Sequence, residues 1–151
     1  MTNRTGVGNA AVAAAVGFIG LAAYQCALAA GAPFGEAAWG GGREGQLPPS
    51  LRIGSGISIW IYAMAAGVVL RRGGLAVDRC PMPVARVASW VLVVLLTVGT
   101  LANFASQSGW ERFLLGPVTL VLAGLSLVVA RGATDVSESS AETRRARRHG
   151  S

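Results

Sequence analysis

Four apolar runs decide what this chain can fold into. Ala10 to Ala32 is 23 residues without a charged side chain, and Ile53 to Leu70, Val87 to Phe104 and Phe113 to Ala130 are 18 each. At 1.5 Å per residue, an 18-residue helix is roughly 27 Å long, close to a hydrocarbon core of roughly 30 Å. Lipid offers the backbone no hydrogen-bond partners, so a spanning run must be helical. Buried helices of a soluble bundle would show a polar face at a period of 3.6, and these runs show none. Only 13% of the residues are charged, well below the roughly 25% of soluble domains. The sequence therefore predicts an all-α fold, an integral membrane four-helix bundle.

The arginines orient it. Arg4, Arg71, Arg72, Arg79, Arg86, Arg131, Arg144, Arg145, Arg147 and Arg148 fall at one side of the spans, and Arg43, Arg52 and Arg112 at the other. The positive-inside rule assigns the first set to the cytoplasm. Both termini and the loop holding Cys80 are then cytoplasmic, in a multi-pass plasma-membrane protein. The pI near 11.0 is explained by this placement, and nucleic acid is not an expected partner. Cys26 and Cys80 fall on opposite sides of the midplane, so no disulfide is expected between them. With His149 the single histidine, no metal or cofactor site is expected.

The chain divides into a cytoplasmic N-terminus over 1–9, a transmembrane domain over 10–131 and a tail over 132–151. The tail is polar and lacks aromatic residues, which predicts disorder. Its Arg144, Arg145, Arg147 and Arg148 are candidates for contact with anionic lipid. A competing reading treats the first run as a signal peptide cut after Ala27-Leu28-Ala29, although the run is longer than a usual apolar signal segment.

The first loop, GAPFGEAAWGGGREGQLPPSLR, has the composition of a structured extracytoplasmic element. Gly31 and Pro33 end the first helix. Gly40, Gly41 and Gly42 free the backbone, and Phe34 and Trp39 suit an interface. The last outer turn carries Ser108 and Glu111 at capping-box spacing. Pro117, inside the fourth run, predicts a kink. Polar residues gather in the outer halves of the helices. Ser55, Ser58 and Tyr62 share one helix face, and Thr97, Thr100 and Asn103 form another stripe. Two readings follow: hydrogen bonds that hold helices together, or an outward-opening polar pocket formed by Gln25, Glu36, Arg52, Ser55, Ser58, Tyr62, Asn103 and Glu111. Arg52, at the electropositive start of the second helix, is expected to pair with Glu36, Glu111 or a lipid phosphate.

The combination of GAPFGEAAWGG, LPPSLR and SGWERFLLGPVTLVLA, each beside an apolar run, resembles a group of small four-helix membrane proteins common in actinobacteria. The resemblance covers roughly residues 10–131 and implies four spans and no activity. Small multidrug transporters, which need a carboxylate in the first helix, fit badly. So do vitamin K epoxide reductase-like enzymes, which need CxxC. Two function classes lead: an accessory membrane protein acting through a protein partner or a second copy of itself, and a small transporter or lipophile-binding protein using the polar pocket. An enzyme would have to work with Glu36, Glu44, Glu111 and the outer arginines, among which no nucleophile–base pair is evident.

Overall fold

The computed structural model describes residues 4–75 and 81–149, with side-chain surroundings from Thr5 through Gly132. All regular structure in these residues is helical. The long elements are α1 (Arg4–Ala30), α2 (Pro49–Arg72), α3 (Met82–Ala105) and α4 (Gly116–His149). A short 3-10 turn, Gly35–Ala37, lies in the first loop, and a π-helical turn, Glu111–Leu115, leads into α4. Thr5–Ala30, Pro49–Arg72, Met82–Ala105 and Glu111–Gly132 are each long and apolar enough to cross a membrane. Each helix exceeds its apolar run because ordering continues past the hydrocarbon once a span is formed.

Small residues build the core. Ala11, Ala14 and Ala15 of α1 are buried with Phe18, against Ala65, Ala66 and Val69 of α2 and Leu122 and Val129 of α4. Short side chains let helix backbones approach, and packing is what associates helices in lipid. Gly17 marks one such approach: a Cβ there would lie 2.6 Å from the Leu122 side chain. The large apolar residues point the other way: Val16, Ile19, Trp60, Met64, Val94 and Phe113 are all exposed. In water this surface would demand a partner; in a bilayer, lipid covers it. The helices pack as a ring, with α1 meeting α2 and α4, and α3 completing the circuit.

Helix ends follow from local chemistry. Gly31, at φ +96, closes α1: its N–H donates to Leu28 O, and Ala32 N–H to Ala27 O. Gly74, at φ +76, closes α2 the same way, with Leu75 N–H donating to Leu70 O. Both are Schellman ends, which need a left-handed residue that glycine adopts without strain. At the start of α4 the Gly116 N–H reaches Glu111 O across a widened turn. That widening accommodates Pro117, which has no N–H to offer, so the irregularity expected there takes the form of a π turn.

One expectation is corrected. The tail predicted to be disordered continues α4 as helical backbone to His149. The span supplies a nucleated helix, and Ala, Glu and Arg with no Pro make its extension cheap. The side chains of Arg144, Arg145, Arg147 and Arg148, like Arg79 and Cys80, lie outside the described residues, and with them the expected lipid contact.

Candidate functional site

The first loop folds over one pole of the bundle as a lid. Ala38 and Leu47 are buried on Leu28 of α1, with Tyr24 and Leu51 packed alongside. Gly35 N–H donates to Gly45 O at 2.8 Å and pinches the loop at its base. Trp39, Gly40 and Gly41 follow one another at positive φ, which turns the chain sharply. For Trp39, at φ 54, this is a strained conformation, held by its ring packing on Gly54 and its Nε1–H donating to Ser55 Oγ at 3.2 Å.

Side chains from the bundle fasten the lid from below. Tyr24 Oη–H donates to Ala37 O at 2.7 Å, and Ser108 Oγ–H to Glu36 O at 2.6 Å. Gly40 N–H donates to Glu111 Oε1 at 3.0 Å. Ser108 Oγ also accepts from Glu111 N–H at 3.3 Å, the N-cap limb expected from the spacing. The reciprocal limb is absent: the Ser108 N–H donates to Ser106 Oγ at 3.1 Å, and the Glu111 carboxylate reaches the lid. Ser106 thus takes the place in the cap that the spacing offered to Glu111, and the carboxylate serves the lid.

Beneath the lid is a cavity of about 230 Å³ lined by Leu21, Tyr24, Gln25, Ala38, Trp39, Ser58, Tyr62, Asn103, Glu111, Leu115 and Thr119. Gln25, Ser58, Tyr62, Asn103 and Glu111 were placed together from the sequence. A neighbouring cleft between α3 and the lid shares Asn103 and Glu111 with it, so these two residues stand between the interior and the surface of this pole. Asn103 Nδ2–H donates to Thr119 Oγ1 at 3.2 Å, and Ser58 Oγ–H to Gly54 O at 3.0 Å. Phe18 stacks on Tyr62 at 6.3 Å between centroids and braces the floor.

Two cavity groups are incompletely satisfied. Gln25 Oε1 is buried with no hydrogen-bond donor. Glu111 is only 7% exposed, and its carboxylate has no cationic partner among the described residues. Removing a carboxylate from water costs several kcal/mol. One hydrogen bond to a charged group contributes about 1.5–3 kcal/mol, and the positive end of a helix about 0.3–1 kcal/mol. The protein's own contacts thus offset much of the burial and leave acceptor capacity on a residue that lines the cavity.

Three expected members lie elsewhere. Ser55 is buried as the acceptor for Trp39 and belongs to the lid's seat. Glu36 is exposed, and only its backbone carbonyl joins the lid contacts. Arg52 pairs with neither Glu36 nor Glu111: its Nε–H donates to Ala29 O at 2.9 Å, with the guanidinium over Gly31. The cause is antiparallel packing, which sets the start of α2 beside the end of α1. The unfilled carbonyls and negative dipole end there satisfy the cation. Sequence reasoning missed Tyr24, Trp39 and Thr119 as lining residues. Tyr24 lies one residue before Gln25 on α1 and Thr119 in the polar half of α4, signals that were present but weak.

No family model, curated protein or solved structure matches the chain.

Proposed function

We propose that this is a multi-pass plasma-membrane protein that binds a small polar ligand from the extracytoplasmic side, in the cavity under its first loop. The cavity carries the reading. It brings Gln25, Ser58, Tyr62 and Asn103 around one space with the buried carboxylate of Glu111, where a purely accessory bundle would have paired these groups and closed the gap. The volume is below the roughly 300–1,000 Å³ of drug-sized sites, which favours a compact ligand. The split of arginines favours cytoplasmic termini and an outward lid. Membership of the small actinobacterial four-helix group is part of the same proposal.

Cysteine accessibility tests it. Ser58→Cys is placed in a Cys26→Ala, Cys80→Ala background, and intact cells are treated with two impermeant methanethiosulfonates, one trimethylammonium and one sulfonate. Gln46→Cys on the exposed loop is the reference. Labelling of Ser58→Cys by either reagent is expected. If Gln46→Cys reacts and Ser58→Cys reacts with neither, the cavity is not a binding site open to the outside. If Gln46→Cys itself is protected, the orientation is reversed.

A further inference from the structure

The cavity's charge is one-sided: among its lining residues Glu111 is the one acid, and there is no Arg, Lys or His. The hydroxyls of Ser58 and Thr119 are spent within the protein, Ser58 Oγ–H on Gly54 O and Thr119 Oγ–H on Leu115 O or Gly116 O, and one of the two Asn103 amide hydrogens goes to Thr119 Oγ1. Tyr62 and the Gln25 amide keep donors. The acceptors are less used. Glu111 has a single donor on its carboxylate, from Gly40, and Gln25 Oε1 has none. The arginines at this pole do not supply the missing charge. Arg52 is committed to Ala29 O, Arg112, through Nη2–H, to Ser106 O at 2.7 Å, and Arg43 lies in a separate cleft with Glu36 and Glu44 and does not line the cavity.

Aromatic residues complete the wall. Tyr24, Trp39 and Tyr62 all line the cavity. Tyr24 spends its hydroxyl on Ala37 O and Trp39 its N–H on Ser55 Oγ, so what they offer an occupant is ring carbon. Aromatic rings attract cations through their quadrupole, most strongly when the site is desolvated. A buried carboxylate, an unfilled carbonyl oxygen and three aromatic residues around one small volume are the groups that a cation uses.

We propose that the cavity recognises a small organic cation, an ammonium about the size of tert-butylammonium, through Glu111, Gln25 Oε1 and the rings of Tyr24, Trp39 and Tyr62. A metal ion is a poorer fit, because no three His, Cys, Asp or Glu side chains converge among the described residues. An anion would face Glu111 without a counter-charge. The chemical class rests on the binding reading above, but it has its own readout.

The same Ser58→Cys protein supplies that readout in purified, bilayer-reconstituted form. The ratio of its reaction rates with the cationic and anionic methanethiosulfonates is compared with the ratio at Gln46→Cys. A one-sign cleft raises encounter rates by about tenfold or more, so the ratio at Ser58→Cys is expected to exceed the reference by about that factor. Tert-butylammonium should slow the modification, and its neutral isostere tert-butanol should not. Glu111→Gln keeps an acceptor for Gly40 N–H and should abolish both the preference and the protection with an unchanged Tm. Gln25→Leu is the second variant and should weaken protection several-fold. Equal ratios at the two positions, or equal protection by tert-butanol, overturn the cation assignment and leave an accessible pocket of another specificity. Modification of Gln46→Cys with none at Ser58→Cys overturns the pocket itself.

Discussion

Three consecutive glycines in the lid differ in ways that separate backbone strain from steric exclusion. Gly42 has an ordinary φ and open space around its Cβ position. Gly40 also has space but sits at φ +88. Gly41 sits at φ +69, and a Cβ there would lie 2.5 Å from Ser108 Cβ and 2.8 Å from Glu36 O. Alanine at position 42 is therefore expected to change stability by less than about 0.5 kcal/mol. At position 40 the left-handed backbone costs roughly 1–2 kcal/mol. At position 41 the same strain is joined by displacement of Ser108. That displacement breaks its bond to Glu36 O, worth about 1 kcal/mol, and its cap on Glu111 N–H, worth about 1 kcal/mol more. The sum is about 3–4 kcal/mol, concentrated in one small element, so the lid should lift before the bundle melts. Two assays read this out: thermal unfolding in detergent, and the labelling rate of Ser58→Cys, which a lifted lid should raise. The expected order of damage is 42, then 40, then 41. Equal effects at 40 and 41, or a harmless Gly41→Ala, would refute the close seating of Gly41 on Ser108.

Other perturbations test separate contacts. Ser108→Ala should cost about 2 kcal/mol, because one hydroxyl serves both cap and lid; a loss no greater than that of an isolated cap, about 1 kcal/mol by thermal unfolding, would mean the Glu36 contact contributes nothing. Arg52→Leu should cost about 1.5–3 kcal/mol through the Ala29 carbonyl, whereas Glu36→Gln should leave Tm unchanged; a larger loss for Glu36→Gln would restore the ion pair rejected above. In a Cys26→Ser background, Cys80 should resist an impermeant thiol reagent in intact cells and react after permeabilisation. Ready labelling from outside would reverse the topology.

What could be read from the sequence divides along physical lines. Spans were legible because lipid tolerates no interruption: a membrane helix must be apolar all round, and that survives in one dimension. The cavity residues Gln25, Ser58, Tyr62 and Asn103 were legible because polar groups are costly at depth, so their concentration in one half of the helices marks where they converge. Arg52 was misread because its partner is a main-chain carbonyl on another helix, which has no side-chain signature. Glu111 was half read: spacing shows that it can cap its own helix, but not that a loop 71 residues away in sequence presents a better donor. Trp39 was read as an interface anchor because nothing local signals a left-handed tryptophan held by a serine on α2. The helical tail escaped because polarity argues against a packed core, whereas extension from an existing helix needs none.

Arg52 has a counterpart at the opposite end of α2. Arg72 is buried and donates through Nη2–H to Ala130 O at 2.8 Å, much as Arg52 donates to Ala29 O. One helix is thus pinned at each tip, to α1 at one pole and to α4 at the other. A rod held at both ends cannot slide along its axis without breaking a charged hydrogen bond, so α1, α2 and α4 share a fixed register. α3 has no charged pin among the described residues and meets α2 only sparsely, but it packs extensively on α4, where Asn103 Nδ2–H donates to Thr119 Oγ1. If the cavity admits its occupant by a change of shape, the compliant seam is the one between α2 and α3, and the movement opens α3 away from α2 while it stays packed on α4.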